Sequence, residues 1–268
     1  VKRLLAILCC LSIQSPAFAA LCDNLEAYWK MDETGTGNRA DSQASNTLTN
    51  VGSISNAVGK LNNASQLVSA SSKYFTAVDN AGLSPSTAMT ISQWVYADSL
   101  ASNINTFAAH WNYSSDGGFA CNLQSNEVRC FVADSPTDGG SNCDITNTGV
   151  IISAATWYHV VVVYDGSLAA GSRLTFYVDG SAQSKGVCGG TIPASLQNPS
   201  TTFDIGRWEG LGRYFDGRID EVAFWSRALT STEVTTLYNS GSVYPLSSFG
   251  CGAAPTLSPQ RLLQGVGK

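Results

Sequence analysis

Apolar residues along this chain recur mostly with a period of two. In Arg173-Leu174-Thr175-Phe176-Tyr177-Val178 the alternation puts Leu174, Phe176 and Val178 on one face, and the run stops at Asp179-Gly180. Asp-Gly after an alternating run signals a hairpin, because a two-residue turn of the favoured hand needs positive φ at both positions. Residues 157–164 are aromatic or β-branched almost throughout, which predicts a central strand covered on both faces. Residues 90–96 and 219–225 read as further strands. Short strands, polar turns and little helical periodicity predict an all-β chain, folded as a two-sheet antiparallel β-sandwich.

One helix stands out. Thr230-Ser231-Thr232-Glu233 is a capping box, in which the Thr230 oxygen accepts from the backbone at 233 while Glu233 reaches back. Val234, Leu237 and Tyr238 then share a face, and Gly241 reads as the C-terminal stop. A helix over about 231–239 is too short to stand alone and must pack on the sandwich.

The ends of the chain have a different character. Lys2 and Arg3, an apolar run over 4–13 and Ala17-Phe18-Ala19 make up the three parts of a secretory signal, so residues 1–19 read as a signal peptide. No other apolar run approaches the roughly 18 residues of a membrane span. The expected division is therefore 1–19 signal peptide, 20–251 sandwich and 252–268 flexible tail. The expected location is secreted, extracellular or periplasmic.

Export changes how the cysteines are read. Removing the signal takes Cys9 and Cys10 and leaves Cys22, Cys121, Cys130, Cys143, Cys188 and Cys251, a set that suggests disulfides. Zinc is a poor rival, with no C-x-x-C pair and two histidines, His110 and His159. One bridge follows from register. If Ser125-Asn126 is the turn between strands 119–124 and 127–132, then 124 faces 127, 123 faces 128, and Cys121 faces Cys130 at a Cα separation of about 4.5 Å, the lower edge of disulfide range. Cys22 and Cys251 flank the folded part and Cys143 and Cys188 remain, which gives the other two expected pairs.

Composition narrows the function. Of 268 residues 13% are charged, against about 25% in an ordinary domain, and the formal net charge is −5. No Lys/Arg cluster exists, which argues against a nucleic-acid partner. Gly35 to Ala40 fits G-x-G-x-x-A but lacks the strand–loop–helix setting of a dinucleotide site. None of Glu26, Glu33, Glu127, Glu209, Glu221 or Glu233 has an acid two residues later, so one strand cannot present the paired carboxyls of glycoside hydrolysis. His159 reads as a strand histidine satisfied by a neighbouring hydroxyl or backbone group. Asp220 raises a sharper question. Strict alternation from 219 puts it on the face of Val222 and Phe224, where a carboxylate needs a basic side chain, backbone N–H groups or a cation. Arg213, Arg218 and Arg227 are the basic candidates, and calcium is the cation that suits oxygen ligands.

Several motifs resemble one family. Ala27-Tyr28-Trp29-Lys30-Met31-Asp32-Glu33 with Ala40-Asp41-Ser42, the Met89–Val95 and Thr156–Val162 runs, Leu174 to Gly180, and Phe215 to Val222 leading to Arg227-Ala228-Leu229-Thr230 resemble the laminin G-like, concanavalin A-like domains. The resemblance spans roughly residues 25–240. It implies a jelly roll that binds glycans or protein partners, and it implies a structural calcium at Asp220 with Asp32 and Asp41 nearby. It also places Asp116 where pentraxin-type relatives carry a calcium acid, and the glucanase catalytic motif is not matched.

Sugar sites pair aromatic rings with a few polar groups. Trp29, Trp94, Trp157 and Trp225 lie in strand patterns and read as core or half-core. The loop-like segments around 110–116 and 207–214 mix aromatics with hydrogen-bonding groups, making Trp111, Tyr113, Asp116, Trp208 and Tyr214 the candidate ligand-binding residues. The expected function is a secreted, non-catalytic carbohydrate-binding module with a structural calcium. A structural or adhesive protein–protein domain is the alternative, and a hydrolase or lyase with acids gathered from several strands is a third.

Overall fold

The computed structural model describes residues 20–100, 104–135, 142–146 and 152–251. The predicted signal peptide (1–19) and tail (252–268) lie outside the described residues.

The strands are, in chain order, β1 (Leu25–Trp29), β2 (Thr49–Val51), β3 (Ser55–Val58), β4 (Asn63–Leu67), β5 (Tyr74–Ala77) and β6 (Ala88–Ala97). Then come β7 (Asn105–His110), β8 (Phe119–Gln124), β9 (Glu127–Val132), β10 (Cys143–Thr146), β11 (Trp157–Asp165) and β12 (Leu174–Val178). The last are β13 (Ser181–Ala182), β14 (Lys185–Gly189), β15 (Phe203–Ile205), β16 (Arg207–Trp208), β17 (Arg213–Tyr214) and β18 (Gly217–Trp225), followed by helix α1 (Ser231–Tyr238).

They form two antiparallel sheets. The first runs β13-β12-β11-β6-β18-β4-β3, with β1 also on β18. The second runs β14-β10-β9-β8-β7-β15-β5-β2, and β16 with β17 makes a separate hairpin. One apolar core fills the space between the sheets, with Trp29, Phe75, Ile91, Phe107, Val162, Phe176, Phe203 and Phe224 all buried in it. Fully burying a side chain of this size contributes about 1.5–3 kcal/mol, so this layer is what closes the sandwich.

The expected strands are present. β11 sits between β6 and β12 with its middle buried, as its unbroken apolar run predicts. Asp179 and Gly180 have φ of 50° and 73°, the positive-φ turn expected between β12 and β13. Ser125 and Asn126 do the same between β8 and β9, so Cys121 pairs with Cys130 in the predicted register. The three disulfides are Cys22–Cys251, Cys121–Cys130 and Cys143–Cys188, and the 121–130 Cα atoms are 4.1 Å apart.

Helix α1 carries the full capping box, with Thr230 and Glu233 each accepting from the other's backbone. Its stop is Asn239, in the left-handed conformation at φ 47°, and not Gly241. Val234 and Leu237 pack with Tyr28, Val161, Ala223, Trp225 and Phe249 on the outer face of the first sheet.

Strict alternation fails in β18. The register shifts between Asp220 and Ala223, and Glu221 has φ 49°. The extra residue resets the parity, so Ile219, Val222 and Phe224 face the core and Asp220 faces away from it, opposite Trp94. Asp220 therefore does not share the face of Val222 and Phe224. The partner strand also changes here: β4 pairs with 217–219 and β1 with 222–225.

Candidate functional site on the outer face of the second sheet

Burial of Cys121, Leu123, Val128 and Cys130 in the core fixes the parity of β8 and β9. Ala120 and Asn122 on β8, and Arg129 and Phe131 on β9, must then point outward. Ala120 pairs with Phe131 and Ala109, and Asn122 pairs with Arg129 and Thr106. The outer face thus has one small, apolar row and one polar row.

The apolar row has a roof. Ala109 and Ala120 leave space that Trp111 and Trp208 fill, with Ala133 beside them and Phe131 and Leu211 at the margin. The two tryptophan rings are 5.3 Å apart, and Phe131 is 5.1 Å from Trp208. Trp111 and Trp208 are 2% and 1% exposed, so they build the site from within and present no open ring to solvent. Tyr113, 37% exposed, is the aromatic at the surface and meets Trp208 edge-on at 5.8 Å.

Trp208 arrives on the β16–β17 hairpin, in which Arg207 pairs with Tyr214 and Trp208 with Arg213. The Tyr113 N–H donates to the Glu209 carbonyl at 3.1 Å, tying the hairpin to the 111–116 loop. Arg207 lies 3.9 Å over Tyr74 and bonds Asp204 at 2.6 Å, and Tyr214 lies 6.1 Å from Tyr74. Burial pushes the Asp204 carboxyl up to about 6, although Arg207 pulls against the shift. Asp116 is a strut: its oxygens accept from Gln197 Nε2 at 2.8 Å and from the Ser200 N–H and Oγ at 2.6 and 3.0 Å. The structure therefore brings Trp111, Tyr113 and Trp208 together, sets Tyr214 beside them, and uses Asp116 to hold the neighbouring loop.

The polar row is unusual because it is buried and unsatisfied. Thr106 Oγ1, both amide atoms of Asn122, Arg129 Nε and Trp208 Nε1 have no hydrogen-bond partner among the described residues. Native structures leave few such atoms, and each calls for water or a ligand. Thr106, Asn122 and Arg129 lie outside the aromatic loop segments that the sequence pattern picks out. The signal was present in the hairpin register, since inward cysteines at 121 and 130 force 120, 122, 129 and 131 outward.

The acids expected to hold calcium lie elsewhere. Asp220 Oδ2 accepts from the Lys60 and Leu61 N–H groups at 2.8 and 3.0 Å, and Oδ1 from the Glu221 N–H at 3.0 Å. Asp32 accepts from Asn63 N–H and Asn62 Nδ2. Asp41 accepts from the N–H groups of Tyr28, Gln43 and Asn46. Each carboxyl thus faces the positive ends of N–H dipoles, and the Thr36 and Gly37 carbonyls face Asn50 and Arg39 instead. Among the described residues no three Asp, Glu, His or Cys side chains form a metal-holding group. Two or three N–H groups serve each of these carboxyls, so their burial is accounted for without a cation.

A second buried polar group lies under α1. The Tyr28 O–H donates to Glu221, and His159 Nε2 is 2.8 Å from Ser92 Oγ. Burial drops the His159 imidazole to about 3, so it stays neutral, and raises Glu221 to about 7. The space beside them is about 10 Å³, room for one water.

A sequence model described as the concanavalin A-like lectin/glucanases superfamily matches residues 69–235. The chain belongs to that superfamily. Both the laminin G-like resemblance and the expected sandwich are borne out. No curated protein matches this superfamily member. Among solved structures it is similar to the binding domain of Paraclostridial Mosquitocidal Protein 1, at 18% identity and TM-score 0.63, over 82% of this chain and 53% of that one. It is similar to domain 4 of an extracellular arabinanase from Geobacillus stearothermophilus in complex with arabinotriose, at 22% identity and TM-score 0.57, over 80% of this chain and 98% of that one. It is also similar to the botulinum neurotoxin serotype D ligand binding domain in complex with N-acetylneuraminic acid, at 12% identity and TM-score 0.58. These likenesses establish the fold. The chain spans about half the length of the toxin domains it matches, at 53% and 52%.

Proposed function

We propose that the chain is an exported, non-catalytic carbohydrate-binding module that takes a glycan on the outer face of its second sheet. The observation that carries this reading is the buried, unpaired polar row of Thr106, Asn122, Arg129 and Trp208 Nε1 beside the aromatic cluster. Sugar hydroxyls donate and accept at once, which suits a mixed row of hydroxyl, amide and N–H groups; because Thr106 and Asn122 are closed to solvent, a sugar would reach them by displacing part of their cover. Among the described residues, the large apolar side chains that are exposed, Val58, Val78, Tyr113, Leu168 and Val187, sit on separate segments of the chain.

The carboxyls near this face are engaged, which supports a binding role over hydrolysis. Asp204 is held by Arg207 and Thr202, Glu209 by Thr201 and Arg207, and Glu127 by Arg129. The two sugar-bound solved structures are consistent with the reading, and three disulfides suit an exported chain. The test is a glycan array with the 20–251 domain, with and without calcium, alongside Asn122→Ala. Binding that Asn122→Ala weakens supports the site, and binding that it leaves unchanged moves the site elsewhere.

A further inference from the structure

Two arginines flank this face, Arg129 in the polar row and Arg213 on the β16–β17 hairpin. Arg213 is half-buried, with its guanidinium 5.1 Å over the Trp208 ring. Among the described residues its side chain has no acidic partner and no hydrogen bond, although the chain holds 20 acids against 15 bases. Arg207, on the same hairpin, is committed to Asp204.

Arg129 stands close by. It shares a face of β9 with Phe131, which contacts Trp208, and Trp208 contacts Arg213. Among the described residues its acidic partner is Glu127 at 3.6 Å, through a terminal nitrogen, and its Nε is buried without a partner. Burial pushes the Arg213 guanidinium below its ordinary value; Tyr113 pulls against the shift, and the charge of Arg129 adds a smaller push in the same direction as burial. Two guanidiniums that repel one another beside the unpaired N–H groups of Asn122, Arg129 and Trp208 form a preset charge, and an anion is what would relieve it.

We infer that this face recognises an acidic glycan, whose anionic group is held between Arg129 and Arg213 with Asn122 and Trp208 Nε1 behind them. The inference rests on the carbohydrate-binding reading and narrows it to sugars carrying a carboxylate or a sulfate. Arginine presents a planar fork of donors that suits either group, and an Arg beside a second Arg costs stability unless something negative arrives. Arg213 has no ion pair among the described residues, so no acid on the protein competes with the ligand's anionic group for it.

The test is calorimetry on the wild-type domain with three probes: oligogalacturonates, the same oligomers with their carboxyls reduced, and sulfated galactan oligosaccharides. Binding of a carboxylate or sulfate probe is expected to weaken roughly tenfold to a hundredfold in Arg213→Gln, the usual worth of hydrogen bonds to a charged group. Arg129→Gln should behave alike, and Arg213→Lys should retain part of the affinity. Unchanged thermal unfolding of Arg213→Gln excludes a folding defect. Raising salt should weaken the anionic probes and spare neutral glycans. The relative strength of the carboxylate and sulfate arms then identifies the group. Equal binding of acidic and reduced oligomers, or acidic binding that Arg213→Gln leaves intact, overturns the inference and leaves the carbohydrate-binding reading standing. If anionic probes fail while neutral glycans bind on the array, the anion is likewise overturned. If neither class binds, both readings fall.

Discussion

Replacing Asp220 separates two accounts of why a carboxyl is buried there. Its oxygens accept three backbone N–H groups, from Lys60, Leu61 and Glu221. Asp220→Ala strips all three of their acceptor in a site with no exposed side-chain surface. At about 1 kcal/mol for each hydrogen bond, the loss is about 3 kcal/mol. For a domain of this size, 1 kcal/mol moves the melting temperature by roughly 2–4 °C, so a fall of roughly 6–12 °C is expected. Asp220→Asn keeps one acceptor oxygen and should lose about half as much.

Wild type should also differ from both substitutions in its response to pH, because it alone carries the titrating carboxyl. Burial raises the Asp220 carboxyl from 3.8 to about 8, against the pull of the Leu61 and Lys60 N–H groups. A folded value above the unfolded one means that the folded state holds the proton more tightly. That contribution is complete below the unfolded value and disappears as pH rises through the folded value. The gap between wild type and Asp220→Asn should therefore be widest near the unfolded value and shrink towards pH 8. The assay is thermal unfolding by circular dichroism across that range, with EDTA and with excess calcium. A gap that grows with pH would refute the protonation argument. A calcium-dependent rise in wild type that both variants lose would refute the N–H account and restore a cation.

Other outcomes follow from the same geometry. His159, held at about 3 by burial, should show no imidazole titration between pH 5 and 8 by NMR, and a midpoint near its ordinary 6.5 would place it in water. Glu233→Ala removes the reciprocal cap and the Arg227 pair and should cost about 1–2 kcal/mol in urea unfolding; no loss would mean α1 is held by packing alone. Cutting the Cys22–Cys251 bridge, which closes 229 positions, should destabilise by about 5 kcal/mol, and cutting Cys121–Cys130, which closes 9, by about 3 kcal/mol, if chain entropy dominates. The reverse order in denaturant unfolding would show that it does not.

Regular alternation made much of this fold legible. The strand parity of 119–124 and 127–132, read from a two-residue turn, gave the Cys121–Cys130 register that the structure contains. The capping box gave α1 its start. Where parity broke, the reading broke with it. One extra residue at Glu221 turned Asp220 to the other face, and no residue type around 219–222 announces that bulge. Trp111 lies just beyond β7 and Trp208 in the two-residue β16, where alternation assigns no face, so their burial depended on contacts between distant segments. The lone charge of Arg213 is likewise a property of what surrounds it, since sequence shows acids in number but not which of them arrive.

The Cys22–Cys251 bridge joins the two ends of the described fold, with Cα atoms 5.3 Å apart. Any polypeptide attached before Cys22 and after Cys251 would therefore leave from a single point. Tension applied between such flanks would run through one sulfur–sulfur link and bypass the hydrogen-bonded strands. The sandwich would hang as a pendant from the line of force, keeping its outer sheet face and its register unloaded while its tether is stretched.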